Sequence, residues 1–137
     1  MNTASANLNT ASRHAANGQP FKASALTGTD NPWRFERSSQ YSDRNQAARY
    51  DAAVRSDLVT YVVHSYAAPI AWCDVWGDWH AINVERSVTT SRHRNRVHAD
   101  LVRKLDVTAS TFWALFDDAP TTDRAAAESL RKAAALV

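Results

Sequence analysis

The chain has 137 residues, with 16 Lys and Arg against 14 Asp and Glu and a net charge of +2, so any attraction for a charged partner must come from local clustering and not from the whole-molecule field. The single cysteine, Cys73, excludes an internal disulfide and a thiolate metal cluster and fits a reducing compartment. No run reaches the roughly 18 apolar residues of a membrane span, so a soluble protein without a membrane partner is expected, of a length that suits one small domain.

From Met1 to Thr29 there is no Asp or Glu, and Arg13 and Lys22 are the only Lys or Arg residues. That composition, rich in Asn, Ser, Thr and Ala, predicts a flexible, disordered N-terminal arm over residues 1–41. MNTASANLNTASRH lacks the basic start and apolar stretch of a secretory signal. Phe21, Leu26, Trp33 and Phe35 are the residues that would pin the arm to a core. A helix is predicted over Ser42 to Asp57, with Ser42 as N-cap, Asp43 in the first turn, and Ala47, Tyr50 and Val54 at helical spacing. LVTYVVHS, residues 58–65, reads as a strand. Pro69 removes a ladder donor, which places SYAAP in a connection and starts a second strand, IAWCDV, at Ile70. Trp76-Gly77-Asp78 forms a tight turn into a third strand, WHAINV, from Trp79. Short links make the three strands an antiparallel meander.

A meander needs a cover. The predicted cover is a helix from about Arg92 to Leu105, capped by Thr89, Thr90 and Ser91, with Val97, Leu101 and Leu105 facing inward. Two further helices are predicted over Thr108 to Asp117 and from Thr122 to the C-terminus. The expected fold class is α+β: a three-stranded antiparallel β-meander packed by an α-helix, with flanking helices. Its organisation is an arm over 1–41, a core domain over 42–118 and an Ala-rich C-terminal helix over 119–137.

The inward stripe leaves Arg92, Arg94, Arg96 and Arg103 outward. Cations near a helix N-terminus oppose its dipole, so their placement calls for another reason. Together with the Thr89, Thr90 and Ser91 hydroxyls and the first-turn N–H groups they could converge on phosphate. The plainer alternative is a solvated face whose arginines pair with Asp100, Glu85 or Asp74. Trp76 and Trp79 flank the tight turn and offer an interaction surface, either as interface anchors or as stacking platforms. Alternation allows His64, Cys73 and His80 to share a face, yet no close ligand pair is present, and His93 and His98 are five apart, so no metal is expected. With Gly18, Gly28 and Gly77 the only glycines, neither a phosphate-cradling loop nor a nucleophile elbow is expected.

YVVHSYAAPIAW (61–72), the W-G-D-W turn and SVTTSRH (87–93) resemble a family of small uncharacterised domains from actinobacterial phages and related mobile elements. Its pattern is S-Y-x-T-P-I-A-W followed by S-x-T-T-S-x-H, and the likeness covers roughly residues 58–97. The chain departs from it at Ala68, where threonine is usual, and at Arg94, where glutamine is common. The resemblance implies a phage accessory role in the host cytoplasm and no activity. The expectation is therefore a non-enzymatic phage protein without cofactor that binds nucleic acid through the basic helix. The alternatives are a protein-interaction module that inhibits or redirects a host factor, or a homo-oligomeric virion component.

Overall fold

The computed structural model of the chain describes residues 4–5, 8–85 and 87–102. Their elements in order are β1 (Ala4–Ser5), α1 (Leu8–Ala16), β2 (Phe21–Ala23), β3 (Leu26–Thr29), a 3-10 turn (Pro32–Arg34), α2 (Arg44–Arg55), β4 (Val59–Ser65), β5 (Ala68–Asp74), β6 (Trp79–Ala81), α3 (Val88–Val97) and a π-helical turn (His98–Val102). The strands form one sheet in chain order, with β1 parallel to β2 and all other neighbours antiparallel. The architecture is α+β, and the meander has five antiparallel strands where the sequence suggested three. The additional two, β2 and β3, come from the stretch read as an arm. The helices predicted beyond residue 107, with Arg103 and Leu105, lie outside the described residues.

The central hairpin β4–β5 is buried on both faces along nearly all its length, as expected of a strand pair covered from two sides. Tyr61 and Val63 pair with Cys73 and Ala71, and β3 places Gly28 and Leu26 opposite Val63 and Ser65, so these residues share one face. Here α1 buries Ala11 and Ala15 and stacks His14 on Phe21, and the Tyr61 hydroxyl donates to the Gln19 carbonyl at 2.7 Å. The other face carries Val62 and His64 with Trp72 and His80. It meets α2 through the edge-on contact of Tyr50 with Trp72, at 6.1 Å between ring centroids. The segment between the 3-10 turn and α2 is strapped beneath, since Tyr50 donates its hydroxyl proton to the Glu36 carbonyl and Ser38 donates to Asp51.

Three local expectations are corrected. Asp43, not Ser42, caps α2, its carboxylate accepting from the Gln46 N–H at 3.0 Å; Ser42 instead bridges to Val84. Pro69 lies within β5 and not in a connection. The hairpin turn is only Tyr66 and Ala67, and Pro69 falls in the first residues of the strand, opposite His64 at a register shift, where its missing N–H is tolerated. The third helix starts at Val88 and its regular α part ends at Val97, with Ser87 as cap, so Thr89, Thr90 and Ser91 are first-turn residues and not caps. The turn at Gly77 is as expected, with φ at 88°.

Phe21 and Leu26 are fully buried, so the pinning expected of them is observed. Gly28 shows how tightly: a Cβ there would fall on the Tyr61 hydroxyl and the Phe21 ring. Gly28→Ala should therefore lower unfolding free energy by roughly 1–3 kcal/mol through overpacking, read as a fall in the urea midpoint.

Candidate functional site

The start of α3 is organised by hydroxyls. Ser87 accepts from the Thr90 N–H and donates to Thr90 Oγ1, each at 3.1 Å. Thr90 and His93 lie three residues apart on one side of the helix, with Val97 one turn further on, and all three are buried against the sheet. Across that contact Ser65 Oγ donates to Thr90 Oγ1 at 3.3 Å and is joined to His93 Nδ1 at 2.8 Å. Burial, followed by the neighbouring Arg92 charge, lowers the His93 pKa, so the imidazole is held neutral. Thr90 thus belongs to the interior and is not offered to a ligand.

The inward face fixes what points outward. Thr89, Arg92 and Arg96 are exposed and Ser91 is half-buried. Arg94 folds back: its side chain is 16% exposed, Nη1 donates to the Val84 carbonyl at 3.2 Å, Nε and Nη2 donate to Asn95 Oδ1, and Glu85 lies 3.9 Å away. Arg96 Nε donates to Asp100 Oδ2 at 3.0 Å, one helical turn on, an exposed pair of little energetic weight. Arg92 has no ion pair among the described residues and opens onto a cavity of about 680 Å³ with Ser91, Asn95, Ser87, Val88 and Glu85. Arg103 lies outside the described residues. The structure thus keeps Thr89, Ser91, Arg92 and Arg96 on an accessible surface and withdraws Thr90 and most of Arg94.

Trp76 and Trp79 are both half-buried against the core, Trp79 edge-on to Tyr61 at 5.8 Å, so each offers only part of its ring at the turn. Among the described residues the exposed tryptophan is Trp33, at 95%. It sits in the 3-10 turn with its backbone fixed: Asn31 Oδ1 accepts from its N–H at 3.1 Å, Thr29 Oγ1 accepts from Asn31, and Pro32 sets φ. N-P-W marks a turn in the sequence, but nothing in it marks the indole as exposed.

The residues most suited to chemistry are buried or half-buried. Asp74 and His80 are joined at 2.7 Å and buried. Cys73 has its thiol pushed up to about 11, chiefly by burial, which disfavours the nucleophilic thiolate. Register places Cys73 on the face opposite His64 and His80. No group of three or more potential metal ligands occurs among the described residues, and no helix among them is long and apolar enough to cross a membrane.

The model of a family of unknown function, DUF8033, matches residues 36–109. No curated protein and no solved structure matches the chain.

His64 gives this region a measurable pH signature. Its Nε2 accepts from the Glu36 N–H at 3.2 Å, which requires an unprotonated nitrogen, and burial lowers its pKa from 6.5 to about 4. The unfolded chain therefore binds the proton more readily. The stabilisation is complete above pH 6.5 and is lost as pH falls toward 4, by up to about 3 kcal/mol at about 1.4 kcal/mol per pH unit. Chemical denaturation of the protein and its His64→Gln variant across pH 4–7 should give a steeper loss for the former.

Proposed function

The chain belongs to DUF8033, a family of unknown function, and from its own geometry we propose that it is a non-enzymatic phage accessory protein that binds nucleic acid. The phage assignment rests on the resemblance of residues 58–97 to small phage-encoded domains. The observation that carries the binding reading is Arg92, exposed and without an ion pair among the described residues, beside Ser91 and above an open cavity at the start of α3. A guanidinium flanked by neutral donors suits a phosphate oxygen, and Thr89 and Arg96 extend that surface. The absence of catalysis is supported by the burial of Ser65 with His93 and of Asp74 with His80, which leaves neither pair open to a substrate.

A protein partner is the second reading, favoured by Val88, an apolar side chain 79% exposed on the rim of the same cavity. Capture from host lysate with and without nuclease separates the two, since a nucleic-acid ligand is lost on nuclease treatment.

Salt dependence is the quantitative check. Two available arginines, Arg92 and Arg96, predict a log–log slope of about −2 for duplex DNA at this surface. Arg92→Ala should weaken binding and lower that slope by about 1. Arg94→Ala should instead lower thermal stability and leave the slope nearly unchanged, because its charge is turned onto the Val84 carbonyl. Affinity that ignores salt removes the nucleic-acid reading.

A further inference from the structure

On the face of the sheet opposite α3, the half formed by β2 and β3 carries Lys22, Thr27 and Thr29 and floors a cleft of about 490 Å³. Trp33 and Arg34 line the cleft from the 3-10 turn, and Tyr66 lines it from the β4–β5 turn. Tyr66 is 54% exposed, and its N–H is tied to the Ala25 carbonyl at 2.7 Å. Neither Lys22 nor Arg34 has an ion pair among the described residues. We propose that this cleft docks single-stranded nucleic acid, with Trp33 and Tyr66 as stacking platforms for bases and Lys22 and Arg34 as phosphate contacts.

The combination selects the ligand. Two aromatic rings on fixed backbone offer flat apolar area to a planar group, and two cations beside them offer charge to an anion; a nucleic-acid strand carries both at short repeat. The floor is hydroxyl-bearing, whereas the centre of a protein-binding cleft is characteristically apolar. Bases paired within a duplex are stacked on one another and closed to an inserted ring, so the fit is to a single strand. Glu36 also lines the cleft and is exposed, and its carboxylate works against phosphate. The two cations leave the rim net positive.

This inference shares its ligand class with the proposed function but none of its residues. The test is fluorescence anisotropy of the full chain with labelled oligothymidylate and oligouridylate of about 12 nucleotides and a duplex of equal length. The single strands should bind more tightly than the duplex. Trp33→Ala should weaken them roughly fivefold or more, with thermal stability unchanged because the indole is solvent-exposed, and Trp33→Phe should retain much of the affinity. Lys22→Ala and Arg34→Ala should each flatten the salt slope by about 0.7. Loss of single-strand binding on Trp33→Ala with no effect of Arg92→Ala on it supports the cleft, and duplex binding unaffected by Arg92→Ala removes the α3 contact. Loss on Arg92→Ala alone overturns the cleft and leaves the α3 reading standing. Single-strand binding that is undiminished by Trp33→Ala, or no binding of either single strand, overturns the cleft.

Discussion

A carboxylate taken out of water must be met by donors, and the way Asp74 is met organises this protein. One of its oxygens accepts from the N–H groups of Trp76 and Asp78 and so closes the β5–β6 turn; the other is joined to His80. The His80 ring in turn lies flat on Trp72, 4.1 Å between centroids. Trp72 meets Tyr50 of α2, Tyr50 donates to the Glu36 carbonyl, and the Glu36 N–H donates to His64 back on β4. One polar residue is thereby connected through stacked rings and hydrogen bonds to a helix, a strap and the strand across the hairpin. Truncating Asp74 would leave several donors buried without an acceptor, the costly kind of change.

The opposite face uses a second polar group for a similar purpose. Ser65, Thr90 and His93 bind α3 to β4 with hydroxyl and imidazole contacts, one turn ahead of the apolar contact of Val97. Directional bonds fix rotation about the helix axis more narrowly than a stripe of valine and leucine does. Rotation decides which arginines are free. With Thr90 and His93 facing inward, Arg92 faces outward and Arg94 is carried toward the Val84 carbonyl. The surface chemistry of α3 follows from its buried hydroxyls.

The three strands between residues 58 and 84, the turn at Gly77 and the existence of α2 were legible because β-branched runs, a glycine and helical spacing agree there. β2 and β3 were not. They are three and four residues long, and their inward positions include Ala23 and Gly28, whose contribution is close approach and not apolar bulk. Such strands exist because β4 offers them an edge, a fact of tertiary pairing that composition does not carry. The start of α3 was misplaced because Ser87, Thr89, Thr90 and Ser91 are all acceptable caps, and only the fit of Thr90 against Ser65 selects Ser87. Arg94 was read as outward from periodicity alone, which locates a side chain on a helix but not the carbonyl it can reach. Trp33 was visible as a residue and invisible as a surface, since exposure depends on what fails to pack over it.

The hairpin turn at Tyr66 holds a wider consequence. Its φ of 55° is a left-handed conformation that glycine or asparagine adopts with little strain and that costs a tyrosine roughly 1 kcal/mol or more. A chain selected only for robustness would replace this residue and gain from doing so. It would also strip a ring from the mouth of the cleft, so durability and reach toward a visitor are opposed at a single side chain.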